Sequence, residues 1–138
     1  MTKDEMIEAL NGDLADEFAS AIQYINHAAL ITGARFGSIQ KELLVHATEE
    51  MQHATTLADQ VAFLGGKPNT AVDAIATSDD SEEMLRQDLA GEQAAVARYK
   101  IRIRDAMAMG EYGLARVLQD ILVMEEEHVK DLENALGL

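Results

Sequence analysis

Two Glu-x-x-His pairs, Glu50/His53 and Glu125/His128, stand in one chain at a constant offset of 75 residues. On a helix, three residues turn about 300°, so each pair leaves one face about a turn apart. The same offset relates residues 10–24, LNGDLADEFASAIQY, to residues 85–99, LRQDLAGEQAAVARY. Leu10/Leu85, Asp13/Asp88, Leu14/Leu89, Ala15/Ala90, Glu17/Glu92, Ala19/Ala94 and Tyr24/Tyr99 are identical, and Leu43/Leu118 and Leu57/Leu132 continue the register. Unrelated helices share apolar spacing, but rarely Glu, Tyr and Glu-x-x-His in one register. The repeat therefore predicts two helical hairpins related by a pseudo-two-fold axis. A site on that axis receives Glu17 and Glu92 from the first and third helices, and one Glu-x-x-His from each of the second and fourth.

Local signals divide the chain accordingly. Thr2-x-x-Glu5 has the form of a capping box. Ile7, Leu10, Leu14, Phe18, Ala21, Ile25 and Ala28 then recur at three and four residues, which predicts a helix to about Thr32. Gly33 to Gly37 punctuates it, Ser38 is a candidate cap, and a second helix is expected from about Ile39 to Leu64. Gly65-Gly66 and Pro68 end that helix. Asp80 with Glu83 repeats the capping pattern ahead of a third helix over about Ser81 to Met109. Gly110 and Gly113 bracket a turn before a fourth, about Tyr112 to Ala135. The long connection, Gly65 to Asp80, is able to travel the length of a helix, so the second and third helices are expected to run parallel. Ala71, Val72, Ala74 and Ile75 are expected to pack it onto the bundle. The fold class is all-α: one domain over residues 1–138, a four-helix bundle with one long crossover and an internal two-fold repeat.

Charge and cysteine content narrow the chemistry. Eleven basic against 25 acidic residues give a net charge of −14, which repels nucleic acid and anionic membranes and attracts cations. The absence of Cys excludes disulfides, thiolate metal sites and thiol catalysis. No apolar run has the length of a membrane span, and MTKDEMIEAL is no signal peptide, so a cytoplasmic protein is expected.

Glu17 lies among Leu14, Phe18 and Ala21, and Glu92 among Leu85, Leu89 and Val96, on stripes that face a core. A carboxylate there is expensive to bury unless it is paired or bound to metal. Four glutamates and two histidines offer hard oxygen and imidazole, which suits two iron or manganese ions, with zinc also accommodated. Di-iron and di-manganese carboxylate bundles use this ligand set. Glu17 and Glu92 are expected to be terminal ligands and Glu50 and Glu125 bridging ones, with His53 and His128 each on the metal of its own helix. Surface carboxylates with two ordinary helix histidines are the alternative, and a metal-free structural bundle would follow from it.

With Glu17, Glu50-Met51-Gln52-His53, Glu92, Glu125-Glu126-Glu127-His128, the long crossover and the FLGGKPN stretch in place, the chain resembles the bacterioferritin branch of the ferritin-like superfamily. The resemblance implies a di-iron ferroxidase centre, oxidation of Fe(II) by O2 or H2O2, and Fe(III) storage in a protein cage. It carries the ligand role to Glu17, Glu50, His53, Glu92, Glu125 and His128, and it makes Tyr24 a redox-active neighbour of the centre. Tyr24 also reads as a packed core tyrosine bonded to a buried carboxylate, and Tyr99 is its counterpart. Met51 matches the methionine that binds haem between two subunits, and it reads equally as an interface methionine. Cage-forming members usually have a short fifth helix, whereas about ten residues follow His128 here. A homo-oligomer is expected, a dimer or a dodecamer-type cage rather than a 24-mer. The alternative function is a non-storage di-metal oxidase, peroxidase or catalase. A rubrerythrin-like peroxidase would want a carboxylate where Ala95 and Val96 stand, and a four-cysteine iron domain.

Four further features remain. Glu49, four residues before His53, is able to orient a ligating histidine, whereas its counterpart Met124 is not. That difference predicts metal positions of unequal affinity. His46, one turn before Glu50, reads as a hydrogen-bonded histidine or an iron-passing one, and His27 as core or interface. Asp79-Asp80 and Glu82-Glu83 read as caps and solvated surface.

Overall fold

In the computed structural model, which describes residues 1–138, the first cap forms as the sequence predicts. Thr2 Oγ1 accepts from the Glu5 amide at 3.1 Å, and Glu5 Oε1 accepts from the Thr2 amide at 3.1 Å. That reciprocal pair opens α1, Lys3–Leu30. A short 3-10 turn, Ala34–Phe36, leads directly into α2, Gly37–Phe63. Ser38 is therefore inside the helix, not its cap: the turn already sets the helical path at Phe36, and no side chain caps the start. Asp80 Oδ2 accepts from the Glu83 amide at 2.8 Å and opens α3, Ser81–Ala108. After a tight turn at Gly110 (φ +76°), α4 covers Tyr112–Leu136 and stops at Gly137 in the left-handed region.

The helices form two hairpins, α1 with α2 and α3 with α4, which pack through α1 on α3 and α2 on α4. Two apolar cores fill the bundle. One joins Met6, Leu10 and Leu14 of α1 to Leu57 and Val61 at the end of α2, Tyr99 and Ala106 late in α3, and Leu114 and Leu118 early in α4. The other joins Tyr24 and Ala28 to Ile39 and Leu43, Leu85 and Leu89, and Leu132 and Leu136. The ends of α2 and α3 share one core and their starts share the other. They run parallel, as the long crossover requires. The chain folds as an all-α four-helix bundle with one long crossover between α2 and α3. None of its helices is long and apolar enough to cross a membrane.

The crossover departs from expectation. Ala71, Val72, Ala74 and Ile75 do not seal it to the bundle: all four are exposed, Val72 to 49% and Ile75 to 37%. Polar bonds along α1 hold the segment instead. Asn11 Nδ2 donates to the Lys67 carbonyl at 3.0 Å, while Asn11 Oδ1 and its carbonyl accept from the Asn69 amide and Nδ2 at 2.9 and 2.6 Å. The Asp73 amide donates to the Ala15 carbonyl at 3.2 Å, and the Ala76 amide to Gln23 Oε1 at 2.9 Å. The segment thus follows α1 from Asn11 to His27, whose Nε2 lies 3.1 Å from the Ala76 carbonyl. At its start, Gly66 passes so close to α1 that a Cβ would lie 2.5 Å from Ile7 Cγ2. Asn11→Ala removes the two of these bonds that its Nδ2 and Oδ1 make. It is expected to destabilise the fold by about 2 kcal/mol, at roughly 0.5–1.5 kcal/mol per bond, with protease cleavage appearing between residues 69 and 77. An unchanged melting temperature and cleavage pattern would contradict polar lacing.

Candidate metal centre

Between the two apolar cores lies a layer of buried charge. Glu17, Glu50, Glu92, Glu125, His53 and His128 are all buried, and they come from all four helices. His53 Nδ1 lies 3.2 Å from Glu50 Oε1, 3.2 Å from Glu125 Oε1 and 3.6 Å from Glu17 Oε2. His128 Nδ1 lies 3.2 Å from Glu92 Oε1, 3.4 Å from Glu50 Oε1 and 3.5 Å from Glu125 Oε1. Glu50 and Glu125 therefore stand between the two histidines, with Glu17 on the His53 side and Glu92 on the His128 side. The imidazole rings are 6.4 Å apart. Glu17, Glu50, His53 and Glu125 each bring a ligand atom within 4.8 Å of the others, and so do Glu50, Glu92, Glu125 and His128.

Six buried atoms of this layer have no hydrogen-bond partner: Glu17 Oε2, Glu50 Oε1, His53 Nδ1, Glu92 Oε2 and both carboxylate oxygens of Glu125. Folded proteins leave few such atoms in the whole molecule. Six in one pocket, all hard oxygen or imidazole nitrogen, suit a pair of divalent cations, whose charge four carboxylates offset.

The electrostatics describe the same strain. Burial, then repulsion from Glu17, Glu92 and Glu125, pushes Glu50 well above the carboxylate range. Burial raises Glu125 to about 7. Burial would lower His53, but the Glu125 and Glu17 carboxylates outweigh it and hold the ring at about 10. His128 is likewise lowered by burial and raised by Glu92 and Glu125, to about 9. Burial opposes ionisation of Glu92 too, yet His128 and Tyr24 hold it below the usual value.

Pseudo-symmetry cross-braces the layer. The hydroxyl of Tyr24 donates to Glu92 Oε1 at 2.7 Å, and that of Tyr99 to Glu17 Oε1 at 2.5 Å, so each tyrosine holds the glutamate of the opposite half. Arg102 Nε donates to Asp13 Oδ2 at 2.7 Å. At the equivalent positions, His27 Nδ1 lies 2.8 Å from Asp88 Oδ1. The sequence marks Asp13 and Asp88 only as repeat identities. That Arg102 and His27 also stand 75 residues apart was the available signal for these pairs. Glu49 does not meet the histidine of its own helix. Its Oε1 lies 3.2 Å from Nε2 of His128, because α2 and α4 are antiparallel neighbours. His46 is wholly buried, with Nε2 3.0 Å from Asp131 Oδ2 and its ring stacked on His128 at 4.0 Å. Burial, then the charge of His128, lowers its pKa. Met51 is 46% exposed on the outer face, away from the layer. Asp80 is a cap, and Glu82 is a surface group that pairs with Arg35 at 3.4 Å.

The shifts predict how stability depends on pH. His53 and His128 have folded values above the ordinary imidazole value of 6.5, so their contribution is complete below about pH 6.5 and lost as pH rises through about 9 and 10. Glu125, raised to about 7, changes stability in the same direction between about pH 4.5 and 7. The metal-free protein is therefore expected to melt at progressively lower temperature from about pH 7 to 10. Saturating Zn(II) should flatten or reverse that trend, because the cation competes for the same atoms. Metal-free melting temperatures that are constant or rising over this window would contradict the assignment.

Comparison with known proteins agrees with this geometry. The ferritin-like domain family model matches residues 7–138. A bacterioferritin of Brucella melitensis is 31% identical over 135 residues, covering 97% of this chain and 84% of that protein. A crystal structure of a ferritin-like, diiron-carboxylate protein from Bacillus anthracis superposes with a TM-score of 0.93 at 30% identity, covering 99% of both chains. The structure of Rhodobacter capsulatus bacterioferritin, described with a metal-free dinuclear site and haem iron, superposes with a TM-score of 0.89 at 28% identity, covering 97% of this chain and 84% of that one. The buried carboxylate and histidine cluster fits a di-iron centre, and the chain belongs to the ferritin-like domain family.

Proposed function

We propose that the chain is a cytoplasmic di-iron ferroxidase of bacterioferritin type, which oxidises Fe(II) with O2 or H2O2 and stores Fe(III) in an assembly of its own copies. The observation that carries this reading is the set of six unpartnered, buried ligand atoms between the two cores. Glu17 and His53 would hold one iron, Glu92 and His128 the other, with Glu50 and Glu125 shared. An iron pair, when bound, supplies one electron from each ion, the two that convert O2 to H2O2 or H2O2 to water.

The protein side of the reaction follows from the residues. Glu50 and Glu125 lie within 3.5 Å of both histidines, so they can hold two cations at the separation of about 3.5–4 Å that two-metal sites use. The protons held on Glu50, Glu125, His53 and His128 leave as the cations enter. Tyr24 and Tyr99 fix the terminal glutamates through their hydroxyls, so Glu92 and Glu17 are oriented before metal arrives. The apolar layers above and below exclude bulk water, which strengthens each charge interaction inside. Tyr24, in contact with Glu92, is placed to exchange an electron with the centre, and Tyr99 on Glu17 is its counterpart.

Met51 belongs to the same reading. Its thioether faces outward, and a second copy across a two-fold axis would supply the matching ligand to haem iron. The haem of the Rhodobacter capsulatus protein supports this. Haem-reconstituted protein should show bis-thioether haem absorption that Met51→Leu abolishes, and retention of that spectrum in the variant would remove haem from the reading.

Rapid mixing of the full-length protein with Fe(II) and O2, followed through Fe(III) absorbance, tests the main proposal. Glu50→Ala and Glu125→Ala are each expected to lower the initial rate by about 10²-fold or more, since each removes a ligand from both metals. Rates within about two-fold of wild type would defeat the ferroxidase reading. Light scattering on the iron-loaded protein tests storage: a large assembly retaining many irons per chain is expected, and a small one retaining only a pair would contradict it.

A further inference from the structure

The 75-residue repeat provides an internal control, because it shows which polar groups the symmetric centre does not require. Around His128 the chain carries Glu42, His46 and Asp131. At the equivalent positions around His53 stand Val117, Ile121 and Thr56. The bundle thus accepts apolar or small neutral residues at each of these places, and still spends two carboxylates and an imidazole on one side only. Packing alone does not call for them.

Their geometry has a use. Glu42, His46 and Asp131 each bring one ligand atom within 4.8 Å of the others. Donors around a zinc-like ion, at about 2.0–2.2 Å from it, stand roughly 3–4 Å apart, so small rotamer changes would close the set. His46 is wholly buried, and its Nδ1 has no hydrogen-bond partner. Its Nε2 lies 3.0 Å from Asp131 Oδ2, and the Asp131 side chain is 36% exposed. Glu42 and Asp131 also line a cavity of about 370 Å³, with Arg35, Ser38 and Asn134 on its walls. The cluster therefore has a buried imidazole on one side and solvent on the other. A cation held by three protein atoms would complete its shell with water from the cavity.

We propose that Glu42, His46 and Asp131 form a third divalent-cation site, one helical turn from the paired site, on its His128 side and open to solvent. Stacking of His46 on His128 at 4.0 Å makes it the neighbour of one member of the pair only. The cation's identity as Fe(II) rests on the di-iron reading above; the existence of the site does not.

Zn(II) alone is the probe. Crystals of the full-length protein soaked in Zn(II) are examined by anomalous scattering, and binding in solution is counted by titration. Wild type is expected to hold about three ions per chain, one of them against His46 and Asp131. Asp131→Thr and Glu42→Val, which install the residues of the other half, should each hold about two and lose only that peak. Glu50→Ala should lose the paired peaks and keep the one at His46. Melting curves confirm that each variant is folded, and Asp131→Asn replaces any that is not. Peaks at the paired site alone, with about two ions in wild type, would overturn the third site and leave the di-iron reading standing. A peak at His46 without the pair would do the reverse.

Discussion

Everything in this molecule answers to the desolvation of one layer of charge. Four carboxylates and two imidazoles are held in a dry slot where an isolated ion would be prohibitively unstable. The two apolar cores on either side make the slot rigid and also make it dry. They create the electrostatic problem and keep the geometry in which cations can solve it. The pKa shifts express the same conflict: Glu50 and Glu125 resist ionisation while His53 and His128 resist losing their protons.

Pseudo-two-fold symmetry explains how the slot holds its shape. Each half reaches across to fix the other, Tyr24 on Glu92 and Tyr99 on Glu17, with the Asp13–Arg102 and Asp88–His27 pairs tying α1 to α3 on either side. A bundle whose helices slid by one turn would break all four contacts, so register and site geometry are the same constraint. The symmetry then fails around His128, where Glu49, His46 and Asp131 gather and the His53 half has Met124, Ile121 and Thr56. The surroundings of His53 and His128 are therefore chemically unequal.

Much of this was legible in the sequence because it lies along single helices. Helix spans follow from period and caps, and the gathering of Glu17, Glu50, His53, Glu92, Glu125 and His128 in one layer follows from their common register. Parallel α2 and α3 follow from the length of the crossover. What was not legible depends on which side chains meet across helices. Glu49 is nearer in sequence to His53, yet meets His128, because antiparallel packing of α2 on α4 decides it. The crossover's apolar residues suggested burial, but its attachment is a set of backbone and amide bonds to Asn11, Ala15 and Gln23. Period carries no information about such bonds. Ser38 looked like a cap because nothing local announced the 3-10 turn before it.

X-ray absorption on the Fe(II)-loaded protein, prepared without oxygen, addresses the central claim most directly. A first shell of oxygen with about one imidazole per iron, and an iron–iron vector of about 3.5–4 Å, is the result expected of cations sharing Glu50 and Glu125. Iron with no iron neighbour, or a water-only shell without imidazole, would mean that the buried layer is not a metal centre.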